Sequence, residues 1–338
     1  MPGPTNTMQA LVLNEPSPSL TLQVQELPVP HIGANEVLVE VEYVGLNHID
    51  ARLGAEGFCR WQYPHVLGLD AVGTVVEAPV GVFPKRGTRV IFTTSLAEQG
   101  VLKRYTKVAN YAVAEVPASI PSAVAATLPN AGMTALAALD KIQLQAGESI
   151  YINSGCGAVA HFAIQYARKR GAKVFVSAPQ SEHERIKALG ADVLFASEGE
   201  RLVQDIKHEL GPDGFDTILN SCGGETFVAD LAHLRFGGRI ACLNGFAQIP
   251  QELLFSRAPI IAAVSLGGAW LANSLCAQQK LSFMGQQLLQ DVGAGHIQPP
   301  AHRTLAFEVE QVSEALRQLY QQGASVRPVV AVKSGALP

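Results

Sequence analysis

Glu148-Ser149-Ile150-Tyr151-Ile152-Asn153-Ser154-Gly155-Cys156-Gly157-Ala158-Val159-Ala160 is the stretch that decides how the rest of the chain is read. It is a short apolar run rich in β-formers that ends in the pattern G-x-G-x-x-A. Past it, Val159, Phe162, Ala163, Tyr166 and Ala167 recur at helical spacing, the basic turn Arg168-Lys169-Arg170 follows, and Gly171 stands where a left-handed cap is wanted. Lys173 to Ser177 resumes as a strand. The small residues serve different ends. Gly155 makes a turn that a Cβ would block, Gly157 lets backbone N–H groups approach a pyrophosphate, and Ala160 lets helix and strand pack closely. A helix opening at Ala158 and Val159 offers free donors and the positive end of its dipole to phosphates. A strand before, a helix after and a second strand ending about 20 residues on at Ser177 favour a dinucleotide site over a structural turn.

Outward from this unit the pattern continues. Strands are expected near 149–154, 173–177, 192–196, 215–220, 239–244 and 260–266, with helical periods between them. The helix after the second strand opens with Ser181-Glu182-His183-Glu184, a capping-box pattern, and closes at Gly190. Six strands with interleaved helices predict a doubly wound parallel sheet of the Rossmann type, an α/β architecture whose ligand sits beyond the strand carboxyl ends. Ser122 to Leu128 and Thr134 to Ile142 look helical.

Residues 8 to 117 read differently. Glu36 to Val44 alternates Val37, Val39, Val41 and Tyr43 against Glu40 and Glu42. Short runs at Gln9 to Leu13, Leu20 to Leu27, Val72 to Ala78, Arg89 to Thr94 and Tyr111 to Val116 complete a β-rich barrel or sandwich. A helix at Val312 to Tyr320 and a strand at Arg327 to Val332 form a tail. The division predicted is a β-rich domain at 1–121, a dinucleotide-binding domain at 122–268 and a tail at 269–338 that returns to the first.

Composition sets the limits. A length of 338 residues suggests about two domains, and 48% hydrophobic with 16% charged residues describes a globular chain with a large interior. The net charge of -4, without a basic cluster, gives no footprint for nucleic acid. Residues 258 to 279 lack charged side chains, but Pro259, Gly267-Gly268 and Asn273-Ser274 break them into a strand and a helix, so no membrane span is expected. Met1 to Thr7 has neither a basic region nor an apolar core and reads as a frayed leader rather than a signal peptide. Five scattered cysteines, none in C-x-x-C spacing, fit a reducing cytoplasm and no structural zinc lobe.

With a β-rich domain first, a dinucleotide fold second and a returning tail, the chain resembles the medium-chain dehydrogenase/reductase superfamily from Met8 to Val332. The resemblance rests on Val44-Gly45-Leu46-Asn47-His48-Ile49-Asp50, on the stretch from Pro64 to Val75 that includes His65-Val66-Leu67-Gly68-Leu69-Asp70, on Leu128-Pro129-Asn130-Ala131-Gly132-Met133-Thr134-Ala135, and on the glycine loop. It implies a GroES-like fold for the β-rich domain. Where the alcohol dehydrogenase branch carries its catalytic zinc ligands, this chain has Asn47, Leu69 and Asn130. Leucine has no donor atom and neutral amides replace thiolates poorly, so no metal is expected. The resemblance therefore narrows to the zinc-independent quinone oxidoreductase-like branch, which implies NADPH-dependent hydride delivery to a quinone or an activated alkene. An enoyl-thioester reductase and a nucleotide-binding protein without turnover are the alternatives.

Cofactor choice is read at the end of the second strand. A carboxylate there would hold a ribose 2′-OH and repel a 2′-phosphate; Ser177 tolerates the phosphate, with Ser181, His183 and Arg185 as nearby donors. NADP(H) is therefore expected, although Glu182 lies where some relatives carry a lysine. The nicotinamide is expected against Asn47, Met133 and Thr134 on one side, and against Asn244, Gly245, Phe246, Leu266 and Gly267 on the other. Asn47 also reads as a helix cap, with Asp50 completing the same turn. Candidates near the substrate are Arg52, Tyr63 and Tyr105, while His48 reads as part of a cleft wall. Cys156, near a helix N-terminus, reads first as an ordinary small loop residue and second as a thiol of lowered pKa. The apolar strand Ile260 to Leu266 would be a sheet edge, and edges of this composition pair or are covered. A homodimer joined there is expected.

Overall fold

The computed structural model describes residues 7–196, 199–210 and 213–333. They form two compact units, the described residues of 1–133 with those of 266–338, and the described residues of 134–265.

The first unit opens with β1 (Thr7–Leu13), β2 (Gln23–Pro28), β3 (Glu36–Gly45), helix α1 (His48–Glu56), β4 (His65–Val66), β5 (Asp70–Glu77), β6 (Arg89–Thr93), β7 (Tyr105–Ala109) and β8 (Ala114–Glu115). Short helix α2 (Ser122–Ala125) and helix α3 (Pro129–Lys141) follow, and the division between units falls inside α3. The predicted alternation along β3 is present: Val37, Val39 and Val41 are buried, and Glu36, Glu40 and Glu42 are half-buried. This places β3 at the centre, antiparallel to β5 and to β7.

The second unit holds β9 (Ser149–Ile152), α4 (Ala158–Lys169), β10 (Lys173–Ser177), α5 (His183–Ala188), β11 (Val193–Phe195), α6 (Gly199–Leu210), β12 (Phe215–Asn220), α7 (Gly224–Leu231), β13 (Leu234–Cys242), α8 (Gln251–Arg257) and β14 (Ile260–Ala263). The strand order is β11-β10-β9-β12-β13-β14, parallel throughout. The central strands β9, β10 and β12 are buried over most of their length, and the ring of Tyr151 stacks on Phe215 with centroids 5.0 Å apart. The order reverses between β9 and β12, which makes their carboxyl ends the switch point where a dinucleotide belongs.

The chain then returns to the first unit with α9 (Gly268–Leu271), α10 (Leu275–Gly293), β15 (His302–Ala306), α11 (Val309–Gln322) and β16 (Arg327–Ala331). Strand β16 pairs with β3 and closes a sheet in the order β15-β16-β3-β5-β6-β8, while β2-β1-β4 form a smaller one.

Several expectations are corrected. Residues 1–6 of the leader lie outside the described residues, but Thr7 already pairs with Pro28 in β1. The capping box at Ser181 does not form: Gln180–Glu182 is a 3-10 turn, and α5 begins at His183 without a side-chain cap. Helix α3 starts at Pro129 rather than Thr134, because a proline at the first helical position gives up only an N–H that has no partner anyway. Tyr111 lies in a 3-10 turn, leaving β8 two residues long. Strand β14 stops at Ala263, short of Leu266. No helix among the described residues is long and apolar enough to cross a membrane.

Candidate active site

In the second unit the glycine loop joins β9 to α4. Ser154 takes a left-handed conformation, φ 56°, and the Gly155 N–H donates to the Ser177 carbonyl at 2.9 Å. A Cβ on Gly155 would lie 2.3 Å from Val176 Cγ1, so glycine here is required by the protein's own packing against β10. Gly157, the N-cap of α4, is different. A Cβ there would meet only the Ser154 carbonyl at 3.5 Å, an ordinary contact, so internal packing does not require glycine and the bare backbone leaves room for close approach from outside. The amides of Ala158 and Val159, in the first helical turn, have no intrahelical acceptor. Loop, helix end and bare backbone together fit a pyrophosphate.

At the end of β10, Ser177 shares a hydrogen bond with the Tyr151 hydroxyl at 2.9 Å. Arg185 on α5 donates through Nε to Glu182 at 2.6 Å, while its Nη2 is buried without a hydrogen-bond partner among the described residues. His183 shares a hydrogen bond with the Ala178 carbonyl at 3.0 Å. The Cys156 thiol is corrected: burial and then Glu182 push its pKa up against Arg185, so it is not an activated thiolate.

A clip that the sequence reading missed braces the switch point. Asn153 follows β9 and Asn220 ends β12, and each donates its Nδ2 to the same Asp230 oxygen on α7, both at 2.7 Å. The two amide oxygens are thereby turned to accept Ser221 N–H and Gly223 N–H, again at 2.7 Å. Burial pushes the Asp230 carboxyl up to about 6 against those two donors. The only sequence signal was an asparagine at the end of each of two strands. Asn244, after β13, donates to the Ser221 carbonyl at 2.6 Å, and Gly245 accepts from the Gly224 N–H at 3.0 Å. Phe246 stacks on Phe227, centroids 4.9 Å apart, with half its surface exposed. The predicted residues Gly155, Gly157, Ala158, Val159, Ser177, Arg185, Asn244, Gly245 and Phe246 thus all belong to the second unit, together with Thr134 on α3.

Asn47, Arg52, Tyr63, Met133, Leu266 and Gly267 belong to the first. Asn47 is the N-cap of α1, and its N–H donates to Asp50 Oδ2 at 2.7 Å, so Asp50 completes the turn. The Asn47 carboxamide is held on three sides: Nδ2 donates to the Gly45 carbonyl at 3.3 Å and to Asp70 at 3.0 Å, and Oδ1 accepts from Arg327 at 2.9 Å. The same Asp70 oxygen accepts the Asn130 N–H at 2.8 Å and lies 3.8 Å from the Arg327 guanidinium. Asp50, Asp70 and Arg327 are all buried, two acids to one cation. Burial pushes Asp50 up to about 7, with Asp70 adding to it, and Asp70 up to about 6 against Arg327.

Arg52 sits half-buried on α1, and His48 is exposed at its start. The Tyr63 ring packs edge-on against Trp61, and its hydroxyl is buried without a partner among the described residues. Tyr105 is tied to Glu40 at 3.4 Å. Met133 is buried on α3; Leu266 and Gly267 are half-buried just before α9.

These residues do not fit a zinc ion. Leu69 has no donor, the Asn47 amide is committed to its neighbours, and no cluster of three His, Cys, Asp or Glu side chains that could hold a metal occurs among the described residues.

A doubly wound dinucleotide sheet, a glycine loop at its switch point and a second β-rich unit define a nicotinamide-dependent oxidoreductase. Comparison with known proteins agrees. The alcohol dehydrogenase GroES-like domain family matches residues 33–118, and the zinc-binding dehydrogenase family matches residues 158–286. A trans-enoyl reductase of Aspergillus japonicus is 28% identical over 92% of this chain and 93% of its own length. The quinone oxidoreductase-like protein 2 of Rattus norvegicus is 27% identical over 98% and 94%. A mitochondrial NAD(P)H oxidoreductase of Danio rerio is 27% identical over 90% and 86%. The crystal structure of an alcohol dehydrogenase superfamily protein from Novosphingobium aromaticivorans superposes with a TM-score of 0.86 at 26% identity, covering 96% of this chain and all of that one. The chain belongs to the medium-chain dehydrogenase/reductase superfamily.

Proposed function

We propose that this oxidoreductase uses NADPH to deliver hydride to a small quinone or enone without a metal. The observation that carries this reading is the replacement of the three zinc-ligand places by Asn47, Leu69 and Asn130, two of which are tied into a buried network around Asp70. Hydride transfer to a conjugated acceptor needs orientation and exclusion of water more than a Lewis acid, because the dinucleotide supplies the electrons. The 2′-phosphorylated form is favoured by Ser177 in place of a carboxylate and by the unpartnered Nη2 of Arg185. Asn244, Gly245, Phe246 and Thr134 in the second unit, with Met133, Leu266 and Gly267 in the first, complete the residues assigned to the dinucleotide. Arg52 and Tyr63 are assigned to the substrate, and Asn47 to the support of both.

Oxidation of NADPH and NADH followed at 340 nm against a panel of quinones, α,β-unsaturated ketones and acyl thioesters tests the reading. Turnover of quinones or enones with NADPH is the expected result, and dependence on added zinc would overturn it. Turnover restricted to thioesters would move the assignment to enoyl-thioester reduction; the Aspergillus relative is named a trans-enoyl reductase. The proposed assembly is a cytoplasmic homodimer joined through β14, an edge strand whose Ile260 is more than half exposed.

A further inference from the structure

Tyr151 brings a hydroxyl into the aromatic core of the second unit. It is 1% exposed, its ring is stacked on Phe215 and edge-on to Phe195 at 6.4 Å, and its hydroxyl has a single hydrogen-bond partner among the described residues, Ser177 Oγ at 2.9 Å. A phenol O–H shut away from water needs an acceptor, because an unmade bond leaves the full desolvation cost of the donor standing. That fixes the direction of the bond: Tyr151 donates and Ser177 accepts. Burial, followed by the charge of Asp230, raises the Tyr151 pKa, so the phenol keeps the proton it donates. A serine hydroxyl has one donor and two acceptor sites, so the proton of Ser177 is left over. Ser177 is half-buried at the carboxyl end of β10, the side on which an open α/β sheet meets its ligand. Its carbonyl accepts the Gly155 N–H, so it borders the glycine loop. A Cβ on Gly155 would also lie 3.1 Å from Ile186, the neighbour in sequence of Arg185, whose Nη2 likewise lacks a partner among the described residues. Two donors that the fold leaves unused thus belong to the surroundings of one loop.

We infer that Tyr151 is a positioning residue for the dinucleotide: by donating to Ser177 Oγ it commits the serine hydroxyl to donate its own proton outward, to the 2′-phosphate of NADPH. The inference rests on the NADPH reading above. Tyr151 itself does not touch the ligand. An apolar side chain of the same size would pack in this core without any call on Ser177, so the hydroxyl is the part that packing does not explain. The two hydroxyls form a relay in which each hydrogen bond polarises the next, and the relay ends on an anion, where a hydrogen bond is strongest. A charged phosphate oxygen only accepts. A ribose 2′-OH both donates and accepts, so it is served by either sense of the serine hydroxyl. Fixing the sense therefore favours the phosphorylated dinucleotide over the plain one.

Calorimetric titration with adenosine 2′,5′-bisphosphate and with 5′-AMP, which differ only in the 2′-phosphate, reads this without substrate or turnover. A failure of the quinone or enone assignment therefore leaves the result intact. Wild type is expected to prefer the bisphosphate. Tyr151→Phe keeps the ring and its stacking, and is expected to lower that preference about three- to tenfold with 5′-AMP affinity unchanged. Ser177→Ala should lower it at least as far, and Tyr151→Phe added to Ser177→Ala should lower it no further, because no hydroxyl is left to direct. A tyrosine that only packs the core would weaken both ligands alike and would add its loss to that of Ser177→Ala. An unchanged preference in Tyr151→Phe, or independent losses in the double variant, overturns the inference. Should Tyr151→Phe not fold, Ser177→Ala decides: a preference left at the wild-type value overturns the inference, since Tyr151 would have no contact to direct, and a loss confined to the bisphosphate sustains it. A wild-type protein that binds both ligands equally overturns the NADPH reading first and the inference with it.

Discussion

Arg327 and Asn47 lie 280 residues apart in sequence, and the Arg327 guanidinium donates to the Asn47 carboxamide oxygen at 2.9 Å in a fully buried setting. The same guanidinium is the cation that offsets Asp70 and Asp50. Breaking a buried ion pair from one side costs about 3–5 kcal/mol, because the remaining charge has nowhere to go. Arg327→Met is therefore expected to lower the melting temperature sharply at pH 8. At pH 5 both acids are below their folded midpoints and largely neutral, so the loss should be smaller. Equal losses at the two pH values would show that Arg327 acts by packing alone.

The two loop glycines should separate fold from ligand. Gly155→Ala puts a methyl 2.3 Å from Val176 Cγ1 and 3.2 Å from the Ser177 carbonyl, so both stability, by about 1–3 kcal/mol, and dinucleotide affinity should drop. Gly157→Ala meets nothing closer than 3.5 Å, so its melting temperature should stay within a degree or two while affinity falls at least tenfold. Calorimetric titration with NADPH beside thermal melts reads both. A Gly157→Ala enzyme that binds normally would remove the phosphate from this loop.

What the sequence made legible was whatever depends on local pattern. The alternation of Val37, Val39 and Val41 against glutamates placed β3, and the spacing from Ile150 to Ser177 placed β9, α4 and β10 with the loop between them. What stayed hidden depends on partners far along the chain. Nothing near Asp50 announces Arg327, and nothing near Asn153 announces Asn220 or Asp230, 67 and 77 residues on. Strands β7 and β15 were missed because Tyr105–Ala109 and His302–Ala306 are short, with exposed or half-buried polar residues, and hold their place through pairing with β3 and β16. The capping box at Ser181 was read from a motif that the backbone does not use, since a 3-10 turn occupies the position.

In the proposed NADPH complex, Glu182 would compete with the 2′-phosphate for Arg185. The pair is 2.6 Å apart and partly exposed, so releasing it costs little. Glu182→Gln should raise NADPH affinity, leave NADH affinity nearly unchanged, and so widen the ratio of kcat/KM between the two by about tenfold. Arg185→Ala should narrow it. A ratio that moves with neither substitution would place the 2′-phosphate away from α5.

At the sheet edge, Ile260 is 57% exposed, so Ile260→Lys should leave the monomer folded. Charge on an edge strand opposes pairing with a second edge. Light scattering should then report half the wild-type mass with an unchanged far-ultraviolet spectrum. A wild-type chain that is already monomeric at high concentration would exclude the assembly.

Asp230 offers the sharpest test of how the switch point is held. Its folded pKa, about 6, lies above the ordinary 3.8, so the folded state binds this proton more tightly than the unfolded chain does. The stability it contributes is complete below about pH 4 and is lost as pH rises through 6, a change of about 3 kcal/mol across that window. Asp230→Asn is neutral at every pH, and its amide oxygen can still accept from both Asn153 and Asn220. Relative to wild type, it should therefore be more stable in urea at pH 8 and lose that advantage at pH 4. Asp230→Ala removes the acceptor altogether and leaves two buried amides without it, which should cost about 2–4 kcal/mol at either pH. An Asn variant less stable than wild type at pH 8 would show that the carboxylate's charge, drawn on by two donors at 2.7 Å, outweighs its burial, and that the clip is electrostatic rather than merely polar.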